Sequence, residues 1–218
     1  MSKEIRLKKG LNINLFGDAD KVYATIKPAD ISNKYVLKPT DFHALTPKLT
    51  VKEGDDVEAG SPLFFDKSNP KIVFCSPVSG KILEIIRGEK RRILEVVITA
   101  DDDLVYKKFD VPNSKDLNRN QIIETMLSGG VWPFVRQKPY DVIANPTDLP
   151  KAIFISAFKS TPLSIDNDFA LYGMEDLFQI GLDYITKLSK GKTHLNVDGN
   201  TNISKVFRDA KGVQINKI

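Results

Sequence analysis

Cysteine is almost missing from this chain of 218 residues: Cys75 stands alone. An internal disulfide is therefore excluded, and neither a CxxC pair nor a Cys/His cluster is present to hold zinc or an iron–sulfur centre. Histidine is nearly as scarce, and His43 and His194 do not make a metal site by themselves. No run reaches about 18 apolar residues, the length a membrane-crossing helix needs, so any membrane association is expected to be peripheral. The opening Met1-Ser2-Lys3-Glu4-Ile5-Arg6-Leu7-Lys8-Lys9 carries charge without a following apolar core. A secretory signal is not expected, and a reducing intracellular setting is. No Ser/His/Asp set, paired catalytic acids or Cys/His nucleophile stands out. A net charge of +4 is too small to demand nucleic acid, and interleaved aromatics or a recognition helix are missing.

What is there is an ordinary globular composition, 41% apolar and 28% charged, long enough for one or two domains. Two are expected. Ile5 to Phe16 alternates loosely around Gly10 as two strand pieces, and Tyr35 to Leu37 makes another strand. From Pro47 the turn residues become regular. Leu49 and Val51 lead to Glu53-Gly54-Asp55, Val57 to Ala59-Gly60, and Leu63 to Phe65 precede Asp66-Lys67-Ser68-Asn69-Pro70. Ile72 to Phe74, Ile82 to Ile86 and Ile93 to Ile98 complete the set, which signals a small β-barrel or sandwich.

The acidic run Asp101 to Asp103 marks a shift, and Val111 to Ser114 reads as a linker. Asn118 is placed to cap a helix, with Gln121 three residues on to answer it and Ile122, Ile123, Met126 and Leu127 on one face. Gly129-Gly130 ends it. Ala152 to Ala157 reads as a strand buried on both faces. A helix over Met174 to Lys190 would turn Leu177, Phe178, Leu182, Ile185 and Leu188 inward, with Gly191 as its cap. Thr193 to Val197 and Gln214 to Ile218 are further strands, so the second half starts a βαβ arrangement. The expected fold is mixed α+β: an all-β carrier-like module over 1–111, a helical linker over 112–150, and an incomplete, truncated Rossmann-like α/β domain over 151–218.

The run Val51-Lys52-Glu53-Gly54-Asp55-Asp56-Val57-Glu58-Ala59-Gly60-Ser61-Pro62-Leu63, followed by Asp66-Lys67 and Ser76-Pro77-Val78-Ser79-Gly80-Lys81-Ile82, resembles the lipoyl and biotin carrier family. There an Asp-Lys on a hairpin tip places the lysine for a swinging arm, and Lys67 is its counterpart. Ser68-Asn69-Pro70-Lys71 predicts a longer hairpin than the carrier pattern, with proline on a different path. The alternative for Lys67 is an unmodified turn lysine.

A wider set of residues looks like one family. It includes Lys8-Lys9-Gly10-Leu11, Thr46-Pro47, Leu63-Phe64-Phe65, Ile85-Ile86-Arg87-Gly88-Glu89-Lys90-Arg91-Arg92, Gly130-Val131-Trp132, Arg136-Gln137-Lys138-Pro139-Tyr140 and Lys151-Ala152-Ile153-Phe154. These resemble the NqrA family, which supplies one component of the sodium-translocating NADH:quinone reductase, over nearly the whole chain and most specifically from Gly54 to Arg91. The resemblance implies a peripheral piece on the cytoplasmic side of a bacterial inner membrane, without a redox centre of its own. It also implies quinone as substrate, flavins and an iron–sulfur centre in partner subunits, and partners that include a membrane-embedded one. The isolated chain is then expected to be inactive.

Kinship of that family with flavin-binding respiratory subunits makes an NADH or flavin site an alternative, but such sites need Gly-rich loops whose N–H groups meet phosphate. Ser128-Gly129-Gly130-Val131-Trp132-Pro133 inserts an indole and a proline. Phe158-Lys159-Ser160-Thr161-Pro162 follows the strand without a G-x-G-x-x-G pattern. Asp198, with Gly199 and Asn200, reads as a turn. For quinone, Phe42, His43, Leu45, Trp132, Phe134, Arg136 and Tyr140 offer the apolar slot and donors such a ring needs. Core packing is the competing role for Trp132 and Phe134. Arg87, Lys90, Arg91 and Arg92 cluster on one hairpin, with Lys3, Arg6, Lys8 and Lys9 as neighbours to consider, and suit an acidic partner or lipid headgroups.

Overall fold

The computed structural model describes residues 3–6, 15–17, 21–22, 32–110, 112–113, 116–158, 164–199 and 203–218. The expected strand pieces around Gly10 and the loop Lys159 to Pro162 lie largely or wholly outside these, as do Lys8, Lys9, Val111 and Ser114. In chain order the strands begin β1 (Lys3–Glu4), β2 (Lys34–Leu37), β3 (Pro47–Leu49), β4 (Asp56–Val57), β5 (Pro62–Asp66), β6 (Asn69–Cys75), β7 (Gly80–Arg87) and β8 (Ile93–Ala100). After helix α1 (Arg119–Ser128) come β9 (Arg136–Gln137), β10 (Val142–Ile143), β11 (Ile153–Ser156), α2 (Asn167–Ala170), α3 (Glu175–Ile185), β12 (Thr193–Val197), α4 (Lys205–Arg208) and β13 (Gln214–Lys217).

Two compact units result, each discontinuous in sequence. One holds residues 24–111 and 123–148, the other 1–23, 112–122 and 149–218.

The first unit is built on a β barrel-sandwich and also holds most of α1 and the β9–β10 hairpin. Its antiparallel sheets run β2-β8-β7-β4 and β3-β5-β6. Ile82, Val96 and Ile98 from one sheet and Leu63, Phe64, Ile72 and Phe74 from the other are all at most 4% exposed. Each such burial stabilises by about 1.5–3 kcal/mol before entropy is counted. Gly80 makes the β7–β8 pairing possible: at φ +148° it faces Ala100, and a Cβ there would overlap the Thr99 carbonyl.

The β5–β6 hairpin departs from expectation. Its turn is the tight pair Lys67-Ser68, with Asp66 opposite Asn69. The Asp66 carboxylate, 8% exposed, accepts the Ser68 N–H at 3.0 Å and the Ser68 hydroxyl at 2.6 Å. Pro70 does not lengthen the loop. A register shift between Phe65 and Asp66 accommodates it on edge strand β6, where the missing N–H breaks no inner ladder.

Helix α1 starts as its sequence requires: Asn118 Oδ1 accepts the Gln121 N–H at 3.1 Å while Gln121 Oε1 accepts the Asn118 N–H at 2.9 Å. Ile122, Ile123, Met126 and Leu127 are buried, and Gly130, at φ +69°, follows its end.

The second unit is an α/β domain on a four-stranded parallel sheet, β1-β13-β12-β11. Its edge strand β1 pairs Lys3 with Asn216 and Glu4 with Lys217, a strand the sequence pattern does not place there. Leu195 and Val197 of β12 pack with Val206 and Phe207 of α4, and Phe178 of α3 joins them. The opposite face is not apolar. Phe154, expected inside a doubly buried strand, is 68% exposed, because β11 alternates. Leu177 is likewise 67% exposed rather than inward, and Phe178 and Leu182 carry the inner face of α3. Gly191 is not the cap of α3, which ends at Ile185 before a short turn over Thr186–Leu188. Its bare Cα is needed because a Cβ would meet the Lys151 carbonyl.

Candidate functional site

The aromatic candidates belong to the β-rich unit, and the structure separates their roles. A one-turn helix at Pro39–Asp41 delivers Phe42, whose ring meets Phe74 edge-on at 4.6 Å and Phe134 at 6.4 Å. Phe42 is half-buried, while Phe134 is 74% exposed. Together they form an apolar step open to solvent on one side. His43 beside it is exposed and Leu45 half-buried. Ala44 turns the chain between them at φ +62°.

Trp132 is not open to a ligand. It is 3% exposed, and its indole N–H donates to the Ala144 carbonyl at 2.7 Å. It is a core residue whose one donor is taken. Arg136 lies on the β9–β10 hairpin, where its guanidinium donates to the Asp141 carbonyl and pairs with the Asp141 carboxylate at 3.6 Å. Lys138 reaches the same carboxylate at 2.9 Å. Hydrogen bonding from Lys138, aided by both positive charges, holds the Asp141 carboxyl below its ordinary value. Tyr140 stands 80% exposed on that hairpin. Among the candidates, then, Phe42 and Phe134 are brought into ring contact, and His43 and Tyr140 are the exposed polar groups. A groove of about 310 Å³ on this unit is lined elsewhere, by Lys71, Val73, Lys107, Glu124 and Leu127 among others. Lys71 and Glu124 pair there at 2.7 Å. No motif announced that groove, because its walls come from β6 and α1.

The basic candidates are on the β7–β8 tip. Arg87, Lys90, Arg91 and Arg92 are all exposed. Lys90 and Arg91 have φ of +54° and +60°, a conformation that costs an L side chain about 1–2 kcal/mol. Arg6, proposed as a neighbour, belongs to the other unit and pairs with Glu4 at 2.8 Å. Lys67 is exposed at its own tight turn, its backbone N–H held by the Thr46 carbonyl at 2.9 Å.

In the α/β unit, Gly199 donates to the Ile218 carbonyl at 2.9 Å, so Asp198-Gly199 is tied to the end of β13. His194 stacks on Phe154 at 4.8 Å and lies 3.2 Å from the Asn216 amide, which also donates to Asn196 at 2.9 Å. This polar ladder was not foreseen. His194 and Asn196 alternate with buried residues along β12, while Asn216 of β13 is itself buried at 4% exposure, so the ladder shows only once the strands are in register. No group of three or more metal-binding side chains occurs among the described residues. Nor, among them, is any helix long and apolar enough to cross a membrane.

Comparison with known proteins bears on both units. The profile of the NqrA N-terminal barrel-sandwich hybrid domain matches residues 5–101, and that of the NqrA second alpha/beta domain matches residues 117–218. The NqrA protein of the Na(+)-translocating NADH-quinone reductase of Photorhabdus laumondii is 33% identical over 193 residues, 88% of this chain and 42% of that one. The protein of the same name from Yersinia pestis shows the same identity and coverage. That from Histophilus somni strain 129Pt is 31% identical over 204 residues, 93% of this chain and 45% of that one. The chain therefore spans less than half the length of these relatives.

Proposed function

The chain belongs to the NqrA family, and from that premise we propose that it serves as the NqrA component, or the N-terminal part of one, in a sodium-translocating NADH:quinone reductase. The observation that carries the reading is the match of both domains, in order, to that one protein. On this reading the chain is peripheral, on the cytoplasmic side of a bacterial inner membrane, and its partners are the other subunits, above all a membrane-embedded one. It helps assemble the complex and complete the quinone-reducing site. It holds no redox centre, with electrons passing from NADH through flavins and an iron–sulfur centre in the partners, and alone it is inactive.

Within that site the Phe42–Phe134 step would meet the ring of the quinone, with Leu45 beside it and His43 or Tyr140 donating to a carbonyl oxygen. Trp132 and Arg136 would support the step from behind, since the single indole donor is used within the fold and the guanidinium is engaged with Asp141. The test is recovery of the tagged protein from its own membranes. Integral-membrane reductase subunits should co-purify, and their absence would refute the assignment. A photoreactive quinone bound to that complex should label the peptides around Phe42 and Phe134; labelling confined to other subunits would remove the quinone role alone.

A second reading draws support from the tight Lys67-Ser68 turn, which presents an exposed lysine next to a fixed aspartate. It makes the chain a lipoyl- or biotin-type carrier. An intact mass without an addition on Lys67, in protein from its native host, would eliminate it.

A further inference from the structure

The β7–β8 tip packs four cations and one carboxylate, Glu89, into the six residues from Arg87 to Arg92. The loop is closed from within. Gly88 donates to the Arg92 carbonyl at 2.8 Å, Arg92 donates to the Glu89 carbonyl at 3.1 Å, and the Arg87 guanidinium donates to the Arg91 carbonyl at 3.3 Å. The nearby strand carboxylate Glu95 already pairs with Lys38 at 3.2 Å. Among the described residues, Lys90, Arg91 and Arg92 form no ion pair. The two residues at the apex keep left-handed backbones that glycine or asparagine would adopt more readily.

We propose that this tip docks, through Lys90, Arg91 and Arg92, into a carboxylate-lined recess of a protein partner. The proposal rests on the reading of the chain as one component of a larger assembly and specifies where that assembly grips it. Three features select a protein over a lipid surface. The tip's backbone is closed by hydrogen bonds, which suits a shaped recess more than a fluid plane. Two of its three unpaired cations are guanidinium groups, whose planar forks meet carboxylates bidentately. Between Arg87 and Arg92 there is no apolar side chain to insert into a bilayer.

The experiment adds the full chain to membranes from a host strain deleted for its own copy of this protein, at low and high salt. Vesicles of phosphatidylcholine and phosphatidylglycerol are run in parallel. Wild-type protein should bind the membranes at low salt and be released at high salt. K90Q/R91Q/R92Q should bind about tenfold more weakly, while K81Q, a cation removed elsewhere, should bind as wild type. K90G/R91G should bind more weakly yet melt higher, which separates docking from folding. Unchanged binding of both tip variants overturns the proposal and leaves the family-based assignment intact. So does vesicle binding as strong as membrane binding. Failure of the wild type to bind those membranes at all overturns both.

Discussion

Trp132→Phe tests the assignment of the indole to the core rather than to a ligand. The substitution removes the N–H that donates to the Ala144 carbonyl at 2.7 Å and shrinks a side chain only 3% exposed. A lost hydrogen bond costs about 1 kcal/mol net, and an orphaned buried carbonyl more. Ala144 is half-buried, so water can reach its oxygen and the polar cost stays near the lower figure. The smaller ring gives up roughly 40 Å² of apolar contact, about 1 kcal/mol at 25 cal/mol per Å². The expected loss is about 2 kcal/mol in the β-rich unit. Urea unfolding followed by far-UV circular dichroism reads it as a lower midpoint with the slope unchanged. As the sole tryptophan, Trp132 should itself emit at short wavelength in the wild type and resist acrylamide quenching. An exposed-type emission would refute the placement. So would a variant of unchanged stability whose only defect is in quinone labelling.

The Gly80→Ala variant should fail to form the β7–β8 pairing, since its Cβ would overlap the Thr99 carbonyl at φ +148°; a loss above about 3 kcal/mol is expected, visible as insoluble or unfolded protein. Asn118→Ala should lower stability by about 1 kcal/mol, and Gln121→Ala by less. The double mutant should cost less than their sum, because each supports the other's hydrogen bond; strict additivity would contradict the reciprocal cap. Asp141 should titrate below 3.8 by carboxyl NMR, and Lys138→Gln should raise its midpoint. Its small contribution is present above the unfolded-state value and lost as pH falls through the lower folded one. Burial pushes the Cys75 thiol up from its usual 9.0 against the pull of Lys107, so at mildly alkaline pH it should react with a disulfide reagent more slowly in the folded protein than in urea.

Apart from the Lys67-Ser68 turn, the hairpins between Pro47 and Ile98, the reciprocal Asn118–Gln121 cap and the buried side of α1 were legible because each is set by hydrogen bonds or periodicity within a few residues. The quinone candidates were less so. Residue type singled out Phe42, Trp132 and Phe134 alike, but only the fold puts Phe42 against Phe134 and aims the indole of Trp132 at Ala144.

Local sequence thus determined most of the strands from Pro47 to Ile98 and the start of α1, and the Gly54 to Arg91 stretch carried the family. Tertiary structure decided what no short window encodes. It made Lys3–Glu4 the edge of a sheet more than two hundred residues away in the chain, turned Phe154 and Leu177 outward, and set Lys67 at a tight turn by moving the irregularity to Pro70. A two-residue strand has no alternation to read. Whether an apolar side chain is buried depends on which face the helices α3 and α4 cover, and an edge strand absorbs a proline that an inner strand would reject.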